Sequence, residues 1–301
     1  MQMKRSNLSA LTACIVAVNL FAAVATGPAR AELSKEDLAK LAQNPVAKLI
    51  SVPFQNNTDF NYGPEKGTQN ILNIQPVIPL TLSDDWNLIT RTIFPLIRQP
   101  ELGPLQDSTF GLGETQFSAF LSPSEASSGW IWCVGFIAQL PTHTDDELGN
   151  DNWGLGPRAV ALRMKKGSPW VYGVLINNLW SLGTGGDPSY NNGLIQPFVN
   201  YNLPGGTYLT SSPIITADWN ADSDDRWTVP LGGGIGRIFH FGRLPVNAQI
   251  SGYYNVVTPD YGADWKSRAQ AQLVFPKQCS SDGRYSPRPV APTVLKVNQA
   301  Y

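Results

Sequence analysis

Past its first 31 residues the chain has no apolar run approaching the roughly 18 residues that a transmembrane helix needs. A membrane-spanning reading is therefore left with one architecture, a closed β-barrel, because strands cross lipid only when no edge is left unpaired. Histidine is nearly absent. His143 and His240 are the two present, and no serine lies close in sequence to His143, although Thr142, Thr144 and Asp145 surround it. Membrane hydrolases with a Ser–His pair exist, but this pattern gives little support to nucleophilic catalysis, which needs nucleophile and base within reach of each other. Basic excess is also missing. Without residues 1–31 the 22 basic residues lose Lys4, Arg5 and Arg30 and the 23 acids lose none, leaving a net charge of −4. That balance gives no electrostatic case for nucleic acid. Metal and cofactor motifs are incomplete. Asp218-x-Asn220-x-Asp222 starts like a calcium loop, but Ser223 stands where glycine and Val229 where glutamate would be needed. Gly232-Gly233-Gly234-Ile235-Gly236 has no following helix and no Lys-Ser/Thr, so it is not a phosphate loop. Glycines in a barrel strand mark curvature or close approach, here with room for a helix to pack. Neither a metal nor a cofactor is expected.

The amino terminus reads as a secretory leader. Lys4 and Arg5 precede a mostly apolar stretch over 8–24, and Ala29-Arg30-Ala31 is a small-x-small cleavage site ahead of Glu32. Leu11-Thr12-Ala13-Cys14 fits a lipoprotein box, but the apolar run continues well past Cys14. An exported chain permits a disulfide, so Cys133 and Cys279 are read either as a pair or as free thiols. The expected organisation is a signal peptide over 1–31, a short helix over 32–43, an outer-membrane β-barrel over 44–276 and a flexible tail over 277–301.

Ser34 caps the helix, with Asp37 three residues on, and Leu33, Leu38, Leu41 and Ala42 form an apolar stripe. That stripe suits either a periplasmic or lumen-plugging segment or an amphipathic lead-in packed on the barrel mouth. From Val46 onward, period-two alternation predicts twelve strands near 46–60, 70–81, 86–98, 110–121, 130–141, 153–164, 170–181, 193–203, 207–219, 226–240, 246–257 and 264–275. Residues 74–93 are the clearest hairpin. Leu72, Ile74, Pro76, Ile78 and Leu80 face one way, Ile71, Asn73, Gln75 and Val77 the other, and Ser83-Asp84-Asp85 turns the chain. Connections after odd-numbered strands are mostly longer and rich in Asp, Gly and Asn, whereas several after even-numbered strands are tight. Such alternation marks outer-membrane barrels, with short turns in the periplasm and long loops outside. The acids of the outer loops, Asp145-Asp146-Glu147 among them, suit divalent ions that bridge lipopolysaccharide.

Tryptophan fits the same frame, since its amphipathic ring belongs at strand ends near the membrane surface. Trp86, Trp130, Trp132 and Trp170 fall near the periplasmic ends, and Trp153, Trp180, Trp219, Trp227 and Trp265 near the outer ends. An Arg or Lys in mid-membrane lipid costs roughly 2–4 kcal/mol. Arg91, Glu114, Arg158, Lys266 and Arg268, which oppose the apolar face, are accordingly assigned to the lumen. Four bases against one acid favour anions if the pore is open; the other reading is a closed, charge-filled core. Pro53, Pro76, Pro79, Pro95, Pro157, Pro197, Pro213 and Pro230 sit in or beside strands, where each removes a ladder donor, so bulges and rims are expected there. Ile195-Gln196-Pro197 echoes Ile74-Gln75-Pro76, and Leu203, Leu209 and Ile214 echo Leu82, Leu88 and Ile93, which suggests two six-stranded halves or a convergent strand composition.

The runs NPVAKLISVPFQNNTDFNYGP, DDWNLITRTIFPLI, QPFVNYNLPGGTYLTSSPIITADW and DRWTVPLGGGIGRIF resemble bacterial outer-membrane proteins grouped under meta-pathway phenol degradation, some labelled "neuromedin U" without relation to the hormone. The resemblance covers about residues 44–277. It implies an outer-membrane β-barrel that passes hydrophobic or aromatic compounds. It brings no catalytic motif, and no residue role is carried over. Lipid, lipopolysaccharide and the barrel-assembly machinery are the partners it implies, with the oligomeric state left open. The assembly signal, an aromatic residue ending the last strand, would be Phe275, internal to the chain.

Overall fold

The computed structural model describes residues 34–103, 107–125, 127–242 and 244–275. The leader with Cys14, the tail, and Cys279 as proposed partner of Cys133 lie outside them. Fifteen strand segments form one sheet. Three pairs of segments lie end to end, so the wall is a closed 12-stranded antiparallel barrel. Its strands are β1 (Ile50–Tyr62), β2 (Gly67–Ile74 with Val77–Thr81), β3 (Trp86–Gln99), β4 (Thr109–Leu112 with Thr115–Pro123), β5 (Trp130–Leu140) and β6 (Gly154–Met164). They continue as β7 (Trp170–Ser181), β8 (Asn191–Asn202), β9 (Thr207–Ser211 with Ile215–Asp218), β10 (Trp227–Phe241), β11 (Leu244–Val257) and β12 (Trp265–Phe275). Each strand pairs with its sequence neighbours, and β12 closes on β1 from Ile50↔Phe275 to Phe60↔Trp265. Strand β12 runs to Phe275, the last of the described residues.

The wall inverts the usual distribution of polarity. Leu80, Val134, Phe136, Ile176, Leu209, Leu231, Ile235 and Ile250 are exposed on the outside, while Gln75, Asn87, Ser118, Asn200, Asn247, Arg268 and Gln272 are buried inside. A one-residue slip of any strand would exchange these faces. It would place Arg91, Arg158 or Arg268 in lipid at roughly 2–4 kcal/mol each, so register is firmly set. All nine tryptophans lie at strand ends or within three residues of them. Trp86 packs edge-on against Trp132 at 6.1 Å, Trp170 against Tyr201 at 4.8 Å, and Trp219 against Trp227 at 5.3 Å. An apolar belt between two aromatic bands is the surface of an outer-membrane barrel.

Two boundaries differ from the alternation reading. Residues 46–49 do not begin β1. They turn inward instead, burying Val46, Ala47 and Leu49. The first outer loop is a four-residue turn, because β1 and β2 extend to Tyr62 and from Gly67. Gly63 at φ +81° lets the chain reverse there.

The prolines follow the breaks. Pro76 interrupts β2, Pro213 interrupts β9, and Pro230 sits at a bulge in the β10–β11 ladder. Pro157 fills the gap between Leu155↔Trp180 and Arg158↔Asn177. Pro53 and Pro95 face breaks in the adjoining strand: Pro53 accepts from the Gln75 N–H at 2.9 Å and Pro95 from the Gly113 N–H at 2.8 Å. Pro197 stands opposite Pro213, between Ile195↔Ile215 and Val199↔Ser211. A missing donor opposite a missing strand segment wastes no hydrogen bond. Pro79, paired with Ile89, is the member that sits in regular strand. The echoed hairpins share a register, Leu80↔Leu88 matching Tyr201↔Leu209 with both partners displaced by 121 positions.

Helix α1 (Lys35–Ala42) starts where expected. Ser34 Oγ accepts from the Asp37 N–H at 3.1 Å and donates to the Asp37 carboxylate at 2.8 Å. The helix lies inside the short-turn mouth. Leu38, Ala39 and Ala42 are buried against the inward side chains Tyr208, Ile238 and Val274. Gly236 makes the room, since a Cβ there would sit 2.2 Å from the Tyr208 ring.

Candidate functional site

The barrel encloses a lumen whose near end is crossed by residues 34–49. Glu36 takes the Gly205 N–H at 2.6 Å in the β8–β9 turn, and Gln43 and Asn202 exchange amide hydrogen bonds at 2.8 and 3.1 Å. Further along, Lys48 donates to the Ser124 carbonyl in the β4–β5 turn. The segment is thus tied at two separate points of the rim. Of the two helix readings, a seat in the lumen mouth is the one observed.

Beyond this segment lies a cavity of about 130 Å³, lined by Gln55, Gln75, Arg91, Gln196, Arg268 and Gln270 among others. Its polar groups gather at the strand breaks. In β9 the break frees Ser212. The Ser212 carbonyl takes Arg268 Nη1 at 3.0 Å, its N–H reaches the Tyr253 hydroxyl at 3.2 Å, and its own hydroxyl receives Gln196 at 2.9 Å. Arg268 also donates Nε to Asn57 at 3.1 Å and lies over the Tyr253 ring. In β2 the break presents Gln75, whose carbonyl oxygen takes Arg91. In β4 the break presents Glu114, which lies outside this cavity.

Glu114 stands just past the outer aromatic band, next to Thr115, which pairs with Leu140. It accepts the Asn150 N–H at 3.1 Å and Gln139 Nε2 at 2.7 Å. Burial nevertheless pushes its carboxyl above the ordinary range, with those two donors and His143 pulling the other way. Over it, the loops 141–153 and 182–190 are laced together. Asn152 donates to the Asp187 carbonyl at 2.9 Å and accepts the Gly185 N–H at 2.8 Å, and the Asp187 carboxylate accepts the Asp151 N–H at 2.7 Å. His143 Nε2 lies 3.3 Å from Asp151, not against Asp145. Asp145 instead accepts the Glu147 N–H at 3.1 Å, and Asp218 caps its own turn through the Asn220 N–H at 3.0 Å.

Arg158 is 5% exposed and donates Nη1 to Ser118 at 2.8 Å. Lys266 pairs with Asp59 at 3.3 Å. The five charged residues assigned to the lumen from alternation thus do not meet at one point: Arg91 and Arg158 flank Ser118, Arg268 lines the cavity with Arg91, Lys266 pairs with Asp59, and Glu114 stands at the outer rim. Alternation missed two parts of the lumen. Asp59 and Asn57 lie in NNTDF, which is polar on both faces and so shows no inward side. The inner face of β3–β7 also carries an apolar cluster, with Ile89, Phe120, Cys133, Val160, Leu162, Val171 and Leu175 buried around Val46 and Val77. The signal was there in β5, WIWCVGFIAQL, which is apolar on both faces.

Neither a protein-family model nor a curated protein matches the chain. Among solved structures, an outer membrane channel from Pseudomonas putida F1 is similar with a TM-score of 0.58 and 17% identity, over 77% of this chain and 97% of that one. The NanC porin gives a TM-score of 0.47 at 9% identity, covering 76% of this chain and 100% of its own. Outer membrane phospholipase A from Escherichia coli gives 0.42 at 11% identity, covering 81% and 99%. At such identities the first likeness shows the barrel fold, and the other two carry no argument. His143 Nδ1 is buried without a hydrogen-bond partner among the described residues, and its Nε2 faces Asp151.

Proposed function

We propose that this outer-membrane barrel is a passive channel for small molecules, hydrophobic or aromatic compounds among them, with its bore set by residues 34–49. The observation that carries this reading is the lumen wall. Arg91, Arg158 and Arg268 are held inside against neutral side chains and backbone carbonyls, an arrangement that a purely structural core has no reason to keep. The resemblance of the strand sequences supports the choice of solutes. The acids of the outer loops fit divalent ions bridging lipopolysaccharide, and Phe275 fits the assembly machinery's signal.

The test is single-channel recording in planar bilayers. Wild-type barrels are expected to give small steps that favour anions, and removal of residues 32–43 is expected to enlarge the steps severalfold. Silence from both chains would leave a non-conducting structural or binding barrel as the better description. A clear preference for cations would remove the role given to the arginines.

A further inference from the structure

Two lumen arginines converge on a wall that no carboxylate neutralises. Arg91 on β3 and Ser118 on β4 are direct partners across the ladder. Arg158, two strands further along on β6, reaches back over β5 to donate Nη1 to the Ser118 hydroxyl at 2.8 Å. Both side chains therefore flank Ser118 on one stretch of the inner wall. Arg91 has the Gln75 side chain as a neutral acceptor. Ser118 is the hydrogen-bond acceptor of Arg158 among the described residues, and the Arg158 Nε is buried without a hydrogen-bond partner. Among the described residues, carboxylates pair with Lys266 and His143 and with neither of these two. A buried cation is retained at a cost unless something completes it, and a bidentate oxyanion matches the guanidinium fork. The surroundings set the rest of the ligand. Val77 is the ladder partner of Arg91 on its other side, and Val77, Leu175 and Phe198 line the same cavity as Arg91. Phe120 lies under the Arg158 guanidinium, 5.9 Å from ring centroid to Cζ.

We propose that Arg91 and Arg158 form a binding subsite for a small monocarboxylate on an apolar body, an arenecarboxylate being the best fit. This rests on the lumen being a passage for solutes, but binding is measurable whether or not current flows. The probes are benzoate, its neutral counterpart benzyl alcohol, and chloride, added to the purified full-length barrel in detergent at neutral pH. Calorimetry is expected to show saturable benzoate binding, weakened at least tenfold by Arg158→Gln or Arg91→Gln and unchanged by Lys166→Gln in a periplasmic turn. Benzoate is also expected to raise the temperature of the heat-modifiable gel shift. Benzyl alcohol is expected to do neither.

Benzoate that fails to bind the folded wild type, or binds both arginine variants as well as wild type, overturns the subsite. Chloride that displaces benzoate at equal concentration overturns the apolar half of the assignment. If one arginine variant does not fold, the other gives the same reading, and the contrast between benzoate and benzyl alcohol needs no variant. A barrel that binds benzoate but carries no current would reject the channel and keep the subsite.

Discussion

Glu114 shows how a single side chain can set the behaviour of the outer mouth. Burial raises its carboxyl above the ordinary carboxylate value, so in the folded barrel it takes up a proton at a pH where an unfolded chain would still be charged. Its contribution to stability therefore runs opposite to that of a paired acid. Between the ordinary and the raised value the folded state binds more protons, and stability falls as pH rises through that window. Lowering the pH through the same window removes one negative charge from the outer rim. The expected result is a shift toward anions in the reversal potential under a salt gradient, lost over that window in Glu114→Gln. A shift that persists in the variant would assign it to another group. Gly236 is a second decisive position, for a steric reason. A side chain there meets Tyr208, on which the helix rests. Gly236→Val is expected to cost about 1–3 kcal/mol, the usual range for overpacking a filled site, seen as a lower temperature of the heat-modifiable transition.

At the scale of elements, the strands were legible because both of their signals are local: alternation along each segment, and Gly, Asp or Asn at each reversal. The lumen charges were legible because lipid forbids the other face. Three things were not. The seat of helix α1 depends on contacts with Tyr208, Ile238 and Val274, which are distant in sequence, and an apolar stripe does not say what it faces. The apolar half of the lumen was hidden because inward and outward faces of β5 carry the same residue types. The breaks in β2 and β9 were foreshadowed by Pro76 and Pro213, but the break in β4 holds no proline, and the matching of Pro53 and Pro95 to breaks next door is a property of the ladder, visible only across strands. The helix also yields a measurement. Ser34 satisfies an N–H of the first turn, and losing such a cap costs roughly 0.5–2 kcal/mol. Ser34→Ala is therefore expected to speed amide exchange in residues 35–42 by about 2- to 30-fold, with the strand amides unchanged. Uniform acceleration across the barrel would mean that the helix does not open as a unit of its own.

The whole molecule is organised by two solvents, and its dimensions can be checked against one of them. Trp170 and Trp180 stand at opposite ends of β7. Ten strand residues cover roughly 33 Å along the strand, and at a tilt near 40° that becomes about 25 Å along the membrane normal, the height of the apolar band of such barrels. Trp86, Trp130 and Trp132 share the level of Trp170, where Trp130 meets Tyr172 and Trp170 meets Tyr201. At the other level Trp219 meets Trp227 and Trp265 meets Tyr254. With no tryptophan mid-strand, fluorescence reports on the two membrane surfaces alone. In bilayers of brominated lipid, bromines near the headgroup end of the acyl chain are expected to quench the emission more than bromines near its terminus. Trp170→Phe and Trp180→Phe should each lower the intensity without changing that order, because each removes one ring from a different surface. Stronger quenching from the chain terminus would place the rings at mid-bilayer, and the spacing read from β7 would then no longer describe how the barrel sits in the membrane.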